Sequence, residues 1–141
     1  MKNMVVLIDT NVLIDYLETR EPYFEDACRL LLLCAEEKIE GYAAFHSIPN
    51  MFYIMRKTHS VKSRRAMLNE ICSILTVTGA SHKKVVDAIN REDFSDFEDC
   101  LQVQCAKEIK ADYIVTRNIN DFVSCEVKVI SPKALVEKLE K

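Results

Sequence analysis

Three short runs in this chain set carboxylates and amides beside apolar segments. Asp9-Thr10-Asn11 follows the β-branched run Val5-Val6-Leu7-Ile8. Asp96 and Asp99 open a segment in which Phe97, Cys100, Leu101 and Cys105 are apolar, and at this spacing the two acids share one helix face. Thr116-Arg117-Asn118-Ile119-Asn120-Asp121-Phe122 follows the compact apolar run Tyr113-Ile114-Val115. Each run has an ordinary explanation. Asp, Thr and Asn are good helix caps, acids are stabilised in the first turn of a helix by its dipole, and hydroxyls with amides make polar turns. Taken together they admit another. Asp9, Asp99 and Asp121 gathered at one end of a sheet would repel one another unless a cation lay among them. Oxygen ligands suit Mg²⁺ or Mn²⁺, whereas zinc favours His and Cys. A hard cation in such a cluster can activate water and steady the leaving oxygen of a phosphodiester.

The elements that must position these runs are legible in periodicity and punctuation. Val5 to Ile8 reads as a buried strand ending at Asp9, followed by a helix over Asn11 to Leu17 and a break at Glu21-Pro22. A helix from Tyr23 to Lys38 is expected next, with Gly41 as a stop and Tyr42 to Phe45 as a weak strand. Ser47 can cap a helix reaching Lys57, with Pro49 in its first turn, and Ser60 can cap one over Val61 to Ile74. Leu75 to Val77 reads as a strand, Ser81 opens a helix to Asn90, and Ser95 or Asp96 opens another to Lys110. Strands at Tyr113 to Val115 and Val127 to Ile130 precede a last helix capped by Ser131-Pro132. Strands separated by helices predict an α/β fold with a central, mostly parallel sheet flanked by α-helices. Such sheets carry their sites at the carboxyl ends of strands near a switch in strand order. Asp9, the residues after Phe45 and Thr116 onward occupy those ends.

At 141 residues the chain is expected to form one domain over 1–141. Its 49% apolar and 29% charged content opposes disorder. The longest apolar run, Leu30 to Ala35, is far too short to span a membrane. The stretch after Lys2 ends at Asp9, too soon for a signal peptide, so a cytoplasmic protein is expected. The six cysteines lack both metal-site spacing and an oxidising context, and are expected to be reduced, mostly as small core residues. With only Gly41 and Gly79, no Gly-rich nucleotide loop exists.

A net charge of −3 does not by itself announce a nucleic-acid binder, but the distribution is uneven. No acid lies between Glu40 and Glu70, where Arg56, Lys57, Lys62, Arg64 and Arg65 fall, whereas Glu92, Asp93, Asp96, Glu98 and Asp99 crowd together. The basic window can hold an RNA backbone or be a solvated pair of helix faces. His46 could reach a phosphate or be a half-buried structural residue. Arg117 could fold toward the acids or bind phosphate.

Asp9-Thr10-Asn11 after a strand, Asp96-x-x-Asp99 opening a late helix, and Thr116-Arg117-Asn118-x-x-Asp121-Phe122 after another strand together resemble the PIN domain family, in order, spacing and length. PIN domains are metal-dependent nucleases, and stand-alone bacterial ones are commonly VapC-type toxins that cleave RNA. The resemblance implies an endoribonuclease from a type II toxin–antitoxin pair, dependent on Mg²⁺ or Mn²⁺, homodimeric, and paired with a small antitoxin. It implies Asp9, Asp99 and Asp121 as metal-binding acids, Thr10, Asn11, Ser47, Thr116 and Asn118 as supporting polar residues, and Asp96 as an extra ligand.

One departure stands out. The family usually carries a Glu after a Ser in the helix following the second strand, and here Ser47-Ile48-Pro49-Asn50 puts Asn50 in that place. The run resembles a PIN subgroup with Asn there. Asn50 can offer a carbonyl oxygen to a hard cation but brings no charge. Residues 41 to 69 contain no acid to replace it, so either Asp96 makes up the charge, or metal affinity is weakened, or activity is lost. The alternative function is then a catalytically weak or inactive PIN fold that binds RNA or a protein partner. A small-molecule phosphoesterase is a third possibility.

Overall fold

In the computed structural model, which describes residues 3–93, 96–122 and 125–140, every strand pairing is parallel. The strands are β1 (Val5–Ile8), β2 (Glu40–Ala43), β3 (Thr76–Val77), β4 (Tyr113–Val115) and β5 (Val129–Ile130), in the spatial order β3-β2-β1-β4-β5. The helices are α1 (Thr10–Leu17), α2 (Phe24–Ala35), α3 (Ser47–Ile54), α4 (Val61–Ile74), α5 (His82–Ile89), α6 (Phe97–Glu108) and α7 (Pro132–Leu139). Single 3₁₀ turns lie at Met55–Lys57 and Ile119–Phe122. No helix among the described residues is long and apolar enough to cross a membrane.

β1 is apolar throughout because both its faces are covered. Val6 and Ile8 pack into a core with Leu13 of α1, Leu30 of α2, Ile71 of α4 and Leu135 of α7. Leu7 turns the other way, onto Val103 and Ala106 of α6 and Ile114 of β4. Each such side chain is fully buried, contributing about 1.5–3 kcal/mol. The chain runs outward from β1 to β2 and β3 on one side, and to β4 and β5 on the other. That reversal opens a crevice at the carboxyl ends of β1 and β4. Asp9 and Thr116 emerge there, and the Asp9 N–H extends the ladder by donating to the Val115 carbonyl at 2.9 Å.

Several boundaries differ from those the sequence suggests. Gly41 is not a stop but a residue of β2, paired with Val6. A Cβ there would lie 2.5 Å from Leu75 Cδ2 and 2.6 Å from Cys34 Sγ, so the glycine lets α2 and the end of α4 close onto the strand. β2 accordingly spans Glu40–Ala43, and Phe45 falls outside it. α2 ends at Ala35, where Glu37 at φ 60° reverses the chain, and Lys110 at φ 55° does the same after α6. β5 keeps only Val129–Ile130 of the expected run.

Ser60, Ser81 and Ser131 cap α4, α5 and α7 through their hydroxyls. Ser47 does not cap α3: it is fully buried in the first turn, and its hydroxyl faces inward. Asp96 caps α6, and Ser95 lies outside the described residues. All six cysteines are free; Cys72 is exposed rather than packed in the core.

Candidate active site

Asp9 begins where β1 ends and serves two purposes at once. Its Oδ1 accepts from the Thr10 N–H at 2.8 Å, capping α1, while Oδ2 accepts from Thr116 Oγ1 at 2.8 Å. The Thr116 hydroxyl also accepts from the Asn118 N–H at 3.0 Å, tying the loop after β4 to the same point. Asn118 in turn accepts from the Asp121 N–H at 3.0 Å through its carbonyl, and this 3₁₀ turn is anchored by buried Phe122. Asp9, Thr116 and the Asp121 loop therefore form one connected wall.

α6 supplies the opposite wall. Asp96 accepts from the Asp99 N–H at 3.2 Å, fixing the start of the helix, and Glu98 and Asp99 project from its first turn. A cavity of about 290 Å³ lies between the walls, lined by the carboxylates of Asp9, Asp96, Glu98, Asp99 and Asp121 together with Thr10, Asn11, Asn50, Asn118 and Arg20. Burial raises the Asp9 pKa to about 6; hydrogen bonds from Thr116 and Thr10 pull it down, and Glu98 and Asp121 push it up. Asp99 rises to about 7, first through burial and then through the neighbouring charges of Asp96, Asp9, Asp121 and Glu98. Crowded carboxylates that resist ionisation, at a sheet's switch point, make this crevice the candidate site.

The sequence matches the PIN domain family over residues 5–120. The chain belongs to the PIN domain family. No curated protein sequence matches it significantly. Among solved structures, VapBC2 from Rickettsia felis bound to a DNA fragment from its promoter superposes with a TM-score of 0.69 at 17% identity, over 91% of this chain and 98% of that one. VapBC-1 from nontypeable Haemophilus influenzae gives 0.66 at 12% identity, over 92% and 99%. The sarcin–ricin-loop-cleaving toxin VapC20 of Mycobacterium tuberculosis gives 0.61 at 10% identity, over 77% and 86%. At such identities the likeness is one of fold.

The polar residues around the PIN-domain cavity are more tightly organised than their spacing suggested. Asn50 does not stand alone in α3: its Nδ2 donates to Glu98 Oε2 at 2.8 Å. Thr10 Oγ1 donates to Glu98 Oε1 at 3.2 Å and shares a 2.7 Å hydrogen bond with Ser47 Oγ. Gln102, fully buried one turn after Glu98, donates to Ser47 Oγ at 3.1 Å. Glu98 and Gln102 were missed by sequence reasoning, which treated Glu98 as one acid in a charged block. The available signal was Gln102, a polar residue among apolar ones at i+4 from Glu98. Arg20, also missed, reaches the cavity because Thr19 at φ 51° turns the chain after α1.

The basic residues separate into two groups. Arg64 is 9% exposed, donates to the Phe52 carbonyl at 2.7 Å and lies over the Phe52 ring. It is a brace between α3 and α4, which corrects its assignment to an RNA surface. Arg117 is likewise engaged, through a two-pronged ion pair with Asp15 rather than with the cavity acids. Arg56 stacks 3.7 Å from the Tyr53 ring on the exterior, and Lys57, Lys62 and Arg65 are exposed. His46 is half-buried; burial lowers its pKa to about 4, a smaller influence of the Glu98 backbone opposes this, and neither ring nitrogen has a hydrogen-bond partner among the described residues.

The donor set of the cavity fits a hard divalent cation. Its donor atoms are carboxylate, amide and hydroxyl oxygens, and Asn11 Oδ1 is buried without a hydrogen-bond partner among the described residues. As they stand, no three His, Cys, Asp or Glu side chains among the described residues converge closely enough to hold an ion. Closing the set requires side-chain rotation, for which Asp121 is exposed and Asp99 is only half-buried.

Proposed function

We propose that this PIN domain is a Mg²⁺- or Mn²⁺-dependent endoribonuclease, the toxin of a toxin–antitoxin pair. The observation that carries the reading is the single cavity at the switch point, in which Asp9, Asp99 and Asp121 from three separate chain segments face one another. These three would hold the cation, with Asp96 at the margin. When bound, the cation would activate water and neutralise charge on a phosphodiester.

The protein's own contribution is orientation. Thr116 and the Thr10 N–H fix both oxygens of Asp9, and α6 presents Asp99 from a rigid first turn. In the metal-free protein burial and the neighbouring carboxylates raise the Asp99 pKa to about 7, and a cation held among them would relieve that repulsion and favour the ionised form. Arg20, at the cavity mouth, and the exposed Lys57, Lys62 and Arg65 offer cations to a phosphate backbone. VapBC assemblies among the fold neighbours support a small protein antitoxin as partner. Exposed Tyr53, Ile54 and Val61 offer an apolar face for a second copy of the chain.

The test is RNA cleavage by purified wild type and Asp9→Asn with Mg²⁺, Mn²⁺ or a chelator. Cleavage by wild type that requires metal, and its loss by at least about 100-fold in a folded Asp9→Asn, is the expected result. Undiminished metal-dependent cleavage by Asp9→Asn would sink the assignment. Salt-sensitive RNA binding without turnover would favour the inactive binding module instead.

A further inference from the structure

Residues 41 to 69 contain no acid, so α3 sends no carboxylate to the cavity. What it sends is Asn50, and the direction of its hydrogen bond is fixed by chemistry. An ionised carboxylate only accepts, so the contact with Glu98 Oε2 at 2.8 Å is made by the amide Nδ2. That bond ties the orientation of the Asn50 amide to Glu98.

The other oxygen of Glu98 is held in the same way. Gln102 Nε2 donates to Ser47 Oγ at 3.1 Å, Ser47 and Thr10 share a hydrogen bond of 2.7 Å, and Thr10 Oγ1 donates to Glu98 Oε1 at 3.2 Å. With an amide donor at one end and an acceptor-only carboxylate at the other, the hydroxyls align so that each donates toward Glu98. This chain is buried at Gln102, Ser47 and Thr10, so Glu98 is seated by groups that are themselves locked. It lines the same cavity as Asp9, Asp99 and Asp121, together with Asn11, whose Oδ1 is buried and without a partner among the described residues. Among the described residues each Glu98 oxygen accepts one hydrogen bond, which leaves a second lone pair on each. A Glu at position 50 would instead set two carboxylates against each other at hydrogen-bond distance.

We propose that Glu98 is the fourth carboxylate of the metal centre, and that Asn50 is a positioning residue that holds it. The inference rests on the metal-dependent reading above and refines which residues serve it. It gives the missing charge a second source beside Asp96, whose Oδ1 caps α6.

The experiment is calorimetric Mn²⁺ titration of the intact protein without RNA, for wild type, Asp9→Asn, Glu98→Gln, Asn50→Ala and the double variant. Circular dichroism and Tm establish that each is folded. Glu98→Gln is expected to weaken Mn²⁺ binding by about 10-fold or more, and Asn50→Ala by about 10-fold, as loss of an orienting partner does. In the Glu98→Gln background Asn50→Ala should then have no further effect, which a merely structural Asn50 would not predict. A second double variant, Asn50→Glu with Glu98→Gln, exchanges the two side-chain types and should recover much of the affinity. Unchanged binding in Glu98→Gln alongside lost binding in Asp9→Asn would overturn the inference and leave the metal reading standing. No binding by wild type at millimolar Mn²⁺ would overturn both.

Discussion

Arg117 grips Asp15 with two prongs, Nε to Oδ2 at 2.5 Å and Nη2 to Oδ1 at 3.2 Å, while its guanidinium lies 4.0 Å from the centre of the Tyr23 ring. The pair joins α1 to the loop after β4, the two segments that present Asp9 and Asp121. Asp15 is only 1% exposed, so its charge depends on this partner. Arg117→Ala should therefore reduce the unfolding free energy by about 2–4 kcal/mol, leaving a buried carboxylate unpaired. Urea denaturation measures it; a loss under about 0.5 kcal/mol would mean that the pair is solvated and the loop is held by something else.

The acids of the cavity make a pH prediction whose sign is opposite to that of a salt-bridged carboxylate. Asp9 has a pKa of about 6 in the fold against 3.8 as the reference value, so between these values the folded protein binds more protons than the unfolded one. Its contribution to stability is fully present below about pH 4 and is lost as pH rises through 6. His46, lowered to about 4, works in the contrary direction over part of this range, so the informative quantity is a difference between variants. In the metal-free protein, Asp9→Asn should match wild type near pH 4 and become more stable by about 1–3 kcal/mol above pH 7. Thermal unfolding from pH 4 to 8 reads this gap directly. A gap that narrows with rising pH would contradict the burial of Asp9.

Two neighbouring cations on α4 should behave differently. Arg64 is buried against Phe52, and Arg64→Ala should cost about 2 kcal/mol in stability. Lys62 is exposed, and Lys62→Ala should leave stability within about 0.5 kcal/mol of wild type. If Lys62 touches an RNA backbone, the same variant lowers the slope of log affinity against log salt by about 0.7. Filter binding at several salt concentrations, beside denaturation, distinguishes the two roles.

How much of this was readable beforehand depended on how local the cause was. β1, α4 and β4 follow from short apolar runs, Ser60 and one face of periodicity, and they appear where those signals lie. Gly41 was misread because its reason is a long-range contact: Leu75 and Cys34 approach the strand where a side chain would stand. Ser47 looked like a cap because its type suits one, but its hydroxyl is bonded to Thr10 and Gln102 across the crevice. Asp9, Asp99 and Asp121 were legible as candidates because each sits at the end of a recognisable element. Glu98 was not, since neighbouring positions in a helix point about 100° apart and only the docking of α6 on β1 decides which acid faces inward.

The hydrogen bond from Thr116 to Asp9 links residues 107 apart in the chain. Synthesis delivers β1 well before its neighbour β4, so Asp9 waits through the intervening helices without the wall that orients it. Long-range parallel pairings of this kind form late, after the intervening helices have condensed. A fragment ending before β4 would keep Asp9 and Asp99 but could not assemble the crevice. On the ribonuclease reading proposed above, that order of events would keep the nascent chain inactive until β4 is in place.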